Sequence, residues 1–320
     1  MRKRTGYTLL VVFLILSALA AAVYLREEAP PEAARLLPES DAIVFLNLKP
    51  LRAATHFDRS PVPPSPAYQQ FIKATGIVPE RDLDRVAFAL HRMADPSGPN
   101  GAVAFTEVFN GHFDSTRLTQ YLDAISTDRE TYADHIVYAV PSEGRTLRVT
   151  LLDYETVAAS NMPTPEQIHS IIDRQRAAAS PFAGSSLLNA RYKDVPPFSS
   201  AWAIGHIGLP FGQNGQIAFD GLELPVPADT TFVASLRYTT ALRLRIDQLT
   251  NSETAARQSA ESLTHLLDIF RTLQTSQPSP PDPLIAQFLS SIVIEPHKDR
   301  TTLNATVPVE TLKRFSPSSK

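Results

Sequence analysis

Residues 37–46, Leu-Pro-Glu-Ser-Asp-Ala-Ile-Val-Phe-Leu, read as a turn in front of a strand and are expected to open the folded part of the chain. Pro38, Ser40 and Asp41 supply the turn chemistry. Residues 42–48 that follow are a short apolar run of the kind buried in a sheet. A second stretch of similar build, Val226-Pro227-Ala228-Asp229-Thr230-Thr231-Phe232-Val233-Ala234-Ser235, lies in the other half of the chain. Laying one on the other gives both halves the order β, α, β, β, α, which is that of a split βαβ or ferredoxin-like unit. The expected fold is therefore α+β, with two similar halves at 37–197 and 198–315, antiparallel sheets, and a short tail at 316–320. The plainer alternative is two α+β halves that share only the habit of entering a strand through Pro and an acid.

The patterning between these landmarks is consistent with that outline. Strands at 84–93 and 102–109 flank a loop rich in turn residues, 95–101, and so make a hairpin. Asp114 caps a helix to about 125, with Leu118, Tyr121, Leu122 and Ile125 on one face. Further strands are expected at 135–140, 146–152 and 155–159, then a helix opened by Pro165 and Glu166. In the second half, strands at 231–238 and 241–249 precede a long helix at 252–273. Its Ala256, Ala260, Leu263, Leu267 and Phe270 form a one-sided stripe. The closing hairpin is expected at 291–295 and 301–307, and a last helix at 308–315.

Ahead of all this stands a run without charge, residues 6–25, directly behind Arg2, Lys3 and Arg4. Twenty helical residues reach roughly 30 Å, the thickness of a bilayer's hydrocarbon core. The basic tip should stay cytoplasmic, which places the rest of the chain, through a linker at 26–36, on the far side of the membrane. Ala18-Leu19-Ala20 offers a signal-peptidase site, but the apolar run continues past it to Leu25, and Tyr7 and Tyr24 sit near its ends. The expectation is an uncleaved anchor in the inner membrane, with residues 6–25 as the contact with lipid.

Composition narrows the function classes. Taking the three basic residues of the tip from 30 leaves 27 against 33 acidic ones, a formal charge of −6 on the exported part. That argues against nucleic acid and against charge-driven docking on anionic lipid. With 0 cysteines, thiol catalysis, iron–sulfur clusters and cysteine-based zinc sites are excluded, as is a lipid on an N-terminal cysteine. Prolines, 27 against 12 glycines, cluster in loops at 61–66 and 278–283.

No phosphate-cradling glycine loop, nucleophile elbow or H-E-x-x-H motif occurs. The 8 histidines are scattered, and His112 and His297 sit beside carboxylates in stretches that read as turns. The pair Asp82 and Asp84 reads as helix-start charge. His206 lies in an apolar strand with Trp202, the only tryptophan. A core histidine is the plain reading of that pair, and a ligand pocket under the 205–215 hairpin is the sharper one. No cofactor is expected.

The anchor, the Leu37-Pro38-Glu39-Ser40-Asp41 turn into a strand, and the closing Ile292-Val293-Ile294 and Leu303-Asn304-Ala305-Thr306-Val307-Pro308 hairpin together resemble a bacterial family of N-terminally membrane-anchored proteins with a duplicated extracytoplasmic domain of unknown function. The resemblance implies an architecture and carries no catalytic residues. The leading expectation is a non-catalytic binding or envelope-associated module that takes an envelope protein partner or a small ligand. The alternatives are a hydrolase with a site in the cleft between the halves and a structural spacer or chaperone-like module.

Overall fold

The structure is a computed structural model. It describes residues 29–59, 65–98, 101–177, 184–206, 216–219, 222–225, 230–238, 241–276 and 283–307. The expected anchor at 6–25 and the expected last helix at 308–315 lie outside these residues. Among the described residues no helix is long and apolar enough to cross a membrane.

The chain begins with α1 (Glu32–Leu36), β1 (Ala42–Asn47), α2 (Leu48–Thr55), α3 (Pro66–Thr75) and α4 (Pro79–Asp82). The hairpin β2 (Leu83–Arg92) and β3 (Val103–Gly111) leads to α5 (Ser115–Ile125). A meander follows, β4 (Asp128–Tyr132), β5 (His135–Ser142), β6 (Arg145–Leu151) and β7 (Thr156–Ser160), then α6 (Glu166–Arg176) and α7 (Ser186–Arg191). The second half contributes β8 (Ala201–His206), a separate small hairpin of β9 (Gln216–Phe219) and β10 (Leu222–Pro225), then β11 (Thr231–Tyr238) and β12 (Leu242–Leu249). It ends with α8 (Glu253–Ser276), α9 (Pro283–Ser291), β13 (Val293–His297) and β14 (Arg300–Val307).

Twelve strands form one sheet in the order β13-β14-β12-β11-β8-β1-β2-β3-β7-β6-β5-β4. The fold is thus mixed α+β with one large antiparallel sheet and a long helix. The expected split βαβ order is not what the sheet adopts. A split unit sets its third strand between the first two, whereas β1 pairs directly and antiparallel with β2. The reason lies in the connection: Asn47 faces Arg85, so the excursion through α2, α3 and α4 returns the chain to the end of the sheet that it left. The laying of 37–46 on 226–235 also fails in the sheet. The strand beside β1, and occupying the matching place, is β8, with Val44 facing Ala203.

Outward from that pair, two rows of facing residues run in the same order. One is Val44, Phe88, Glu107, Ala159 and Val149, on β1, β2, β3, β7 and β6. The other is Ala203, Ala234, Ile246, Leu303 and Ile294, on β8, β11, β12, β14 and β13. Gly205 lies at the seam between the rows, where a side chain would drive into Ala42.

The pleat divides the sheet's residues between two cores. One face packs Ile43, Phe45, Val108, Ile204 and Trp202 against Ala33 and Ala34 of α1, Ile168, Ile171 and Ile172 of α6 and Leu188 of α7. Each fully buried aliphatic side chain there contributes roughly 1.5–3 kcal/mol. On the other face, α5 places Leu118 and Leu122 over Tyr138, Val149, Val157 and Ala159. Asp114 accepts a hydrogen bond from Arg117 N at 3.0 Å and caps that helix as the sequence predicts. Farther along, α8 buries Ala256, Ala260 and Leu267, and Thr301 Oγ1 donates to the Ala256 carbonyl at 2.8 Å. Ile269 and Leu273 on the same helix stay exposed.

Candidate functional site

The strongest concentration of chemistry lies where β2 leaves α4. The register of β2 against β3 shifts between Leu83 and Arg85, so Asp84 is the extra residue of a bulge. Gly111 makes the bulge possible, because a Cβ there would strike the Asp82 carbonyl oxygen. Asp84 is 8% exposed and points at α2. Lys49 Nζ lies 2.9 Å from its Oδ2, and Arg52 donates from Nη1 to its Oδ1 at 3.3 Å. Arg52 also donates to the carbonyls of Glu80, at 3.0 Å, and Leu83, which fixes α2 to the α4–β2 junction. His112 Nε2 stands 3.7 Å from Asp84 Oδ2 and is largely exposed. Burial alone would raise the Asp84 carboxyl, but the Lys49 and Arg52 hydrogen bonds and the Lys49 and His112 charges outweigh it and hold the group below its ordinary range.

Two cavities meet at this ion pair. One, of about 490 Å³, is bounded by Glu32, Asp153, Glu155, Arg85, Asn110 and Tyr154 together with Lys49 and Asp84. The other, of about 430 Å³, is bounded by Arg52, His56, Asp58 and His112 and again by Lys49 and Asp84. Carboxylates dominate the first and cationic or imidazole groups the second. Inside the first, Asn110 Nδ2 donates to Thr156 Oγ1 at 2.9 Å while its buried Oδ1 has no partner among the described residues. Tyr154, 81% exposed, stands at the rim. Among the described residues no group of three or more His, Asp or Glu is placed to hold a metal ion.

Other polar groups are structural. His91, Thr106 and Ser160 form a row with contacts of 2.9 and 3.0 Å, which in composition resembles a hydrolase relay. All three are buried on the sheet face that packs against α1 and α6, closed to a substrate, and burial lowers the His91 imidazole. His169 stacks on Tyr132 with ring centroids 3.8 Å apart and meets Glu130 at 2.7 Å, in a contact that ties α6 to the edge strand β4. Asp247, 1% exposed, is held by Arg245 and Thr302 in an ion network that also includes Arg300 and Asp194. Glu107 is different: it faces Phe88 and Ala159 across the sheet, and among the described residues it has no ion pair or side-chain hydrogen bond. Burial pushes its carboxyl up to about 7.

Trp202 and His206, the residues singled out from sequence, sit on one face of β8. Trp202 is 3% exposed, stacked on Phe45 at 5.5 Å and edge-on to Tyr192 at 5.4 Å. His206 is partly exposed at the end of the strand, its Nδ1 buried without a partner among the described residues and its backbone N donating to the Asp41 carbonyl at 3.3 Å. The 207–215 stretch expected to roof them lies outside the described residues. Asp82 and Asp84, read from sequence as one acidic pair, separate: Asp82 bonds Arg81 and the Val78 amide, and Asp84 alone enters the cleft. No local spacing marks the cleft in the sequence. Its one usable sign is Lys49 and Arg52 one helical turn apart, and that becomes visible only once α2 is recognised.

No family model and no curated protein matches the chain. Solved structures of TP0453 from Treponema are similar at low identity. Crystal form I is 9% identical with a TM-score of 0.46, covering 90% of this chain and 98% of that one. Form IV is 10% identical at 0.44, covering 91% and 99%, and form III 11% identical at 0.43, covering 90% and 99%. A likeness at this level carries no functional argument.

Proposed function

We propose that the chain is a single-pass protein of a bacterial envelope, held in the inner membrane by residues 6–25 with its N-terminus in the cytoplasm. Its α+β ectodomain binds a small polar ligand carrying both signs of charge, in the cleft divided by Lys49 and Asp84. The observation that supports this reading is the cleft's division: a carboxylate-lined cavity and an Arg/His-lined cavity share one ion-paired wall. A ligand with an ammonium and a carboxylate group would meet a complement in each cavity. The reading is of binding without catalysis, because Asp84 is held well below neutral pH, where it is a fixed charge and a poor general acid or base. The like rows on either side of the Val44–Ala203 pair support an internal repeat with residues 42–46 set on 201–205.

The test is thermal stabilisation of the ectodomain in the anchored protein by a panel of free amino acids and dipeptides, compared with singly charged analogues. Stabilisation by zwitterions alone, lost in Lys49→Ala, is the expected outcome. Equal response to the singly charged analogues, or an unchanged response in Lys49→Ala, overturns it. The anchor is tested by an alkaline wash of membranes: release of a chain about twenty residues shorter, the length of a spanning helix, would show a cleaved signal peptide instead.

A further inference from the structure

The two rows of the sheet end differently. In the first half the row continues beyond Val149 of β6 to Tyr138 of β5 and Arg129 of β4. In the second half it stops at Ile294 of β13, and among the described residues no strand lies beyond it. The helices repeat this difference. Under α5, the place next to β6 is filled by Tyr138, which is buried with Leu118 and Leu122. Under α8, the place next to β13 is a groove of about 550 Å³ between Ala260, Thr264, His265 and Asp268 of the helix and Ile294 and Pro296 of the strand.

We propose that this groove is a vacant strand position, and that β13 accepts an extended segment of a partner polypeptide as an added antiparallel strand. The backbone chemistry selects that occupant. Pro296 has no N–H to give, so it takes a register at which β14 needs none, and its carbonyl faces outward. Two residues away in the alternation, Ile294 turns both its N–H and its carbonyl to the same side. An unpaired N–H and carbonyls in line beside a helix are the recognition elements of strand addition, in which alternate side chains of the guest enter the groove. The guest therefore carries apolar or aromatic residues at every second position, as Tyr138 and Val140 of β5 do at the corresponding place in the first half. The proline and the short length of β13 keep the edge from pairing indiscriminately.

The internal match supplies the probe, a fluorescent peptide with the sequence of residues 134–142, Asp-His-Ile-Val-Tyr-Ala-Val-Pro-Ser. Titrated into the full chain in detergent, it is expected to bind in the micromolar range and to slow exchange of the Ile294 amide. A peptide with proline in place of its tyrosine should not bind. Ile294→Pro, which removes the outward N–H, should weaken binding about tenfold or more, as expected for one lost backbone hydrogen bond with its partner left unpaired. Thr264→Trp, which fills the groove from an exposed helix position, should weaken it at least as much by occluding the guest's side chains. The helix variant keeps the test valid if the proline variant fails to fold. No binding at roughly 1 mM peptide, beyond the weakest specific contacts, overturns the proposal. So does binding that neither variant changes. A dimer of the chain that dissociates in Thr264→Trp also overturns it, since a second copy then takes the edge.

Discussion

Replacing Glu107 by Gln should stabilise the protein at neutral and alkaline pH and change little in acid. Glu107 is a carboxylate among Phe88, Phe109 and Ala159 with no described cation near it, and burial raises its pKa from 4.5 to about 7. The unfolded chain releases this proton near the ordinary value, and the folded chain holds it until about neutrality. Stability is therefore fully present below pH 4.5 and is lost as pH rises through about 7. At ~1.36 kcal/mol per pH unit, the gap between the two values makes the loss about 3 kcal/mol at pH 8. Glutamine keeps the shape and does not ionise, so Glu107→Gln escapes that loss. Urea unfolding of both proteins at pH 4.5, 6 and 8 measures it: the difference in stability should be near zero at the first pH and approach about 3 kcal/mol at the last. A constant difference across the range, or a variant no more stable than the parent at pH 8, refutes the assignment.

Asp84→Asn should cost about 1–2 kcal/mol at pH 7, a figure reduced from that of a buried charged pair because Lys49 is 58% exposed. Because the Asp84 pKa is lowered in the folded state, this cost should disappear as pH falls below the carboxylate range, which denaturation at pH 3 checks. Gly111→Ala should destabilise by roughly 2 kcal/mol or more, since the added Cβ meets backbone at Asp82, which urea unfolding measures. Trp202, the only tryptophan, should emit at short wavelength and resist iodide quenching, and emission typical of solvent would contradict its place between Phe45 and Tyr192.

Elements with a strong internal period are legible in the sequence. The β2–β3 hairpin follows from apolar runs around a loop of turn residues, and α8 from its i, i+3, i+4 stripe, which the structure buries at Ala256, Ala260 and Leu267. The strand β4, Asp-Arg-Glu-Thr-Tyr, escapes such a reading because it lies at the sheet's edge and carries charge, which protects edges from pairing and removes the apolar signal. The helix α2 carries Pro50, a residue that breaks helix interiors, but in the first turn, where a missing N–H costs nothing. The cleft is illegible for a different reason. Arg52 and Asp84 are 32 residues apart, and only the bulge and the return of the chain to the same sheet end bring them together. Strand neighbours obey the same limit: the proline-and-acid stretch at 37–41 precedes β1, while sheet position depends on pairings that local sequence does not encode.

The seam between β1 and β8 has a consequence in time. Strand β1 precedes every other strand of the sheet in the chain, and its partner on one side, β2, follows within tens of residues. Its partner on the other side, β8, follows on the order of 150 residues later. At a synthesis rate of about 5–20 residues per second, the open side of β1 waits roughly 8–30 s for its neighbour. During that interval the apolar strand in the middle of the finished sheet is an exposed edge. Assembly of the second half is thus a late annealing onto a waiting template, and the yield of correctly folded protein should depend on whatever holds that template apart from its copies on neighbouring nascent chains.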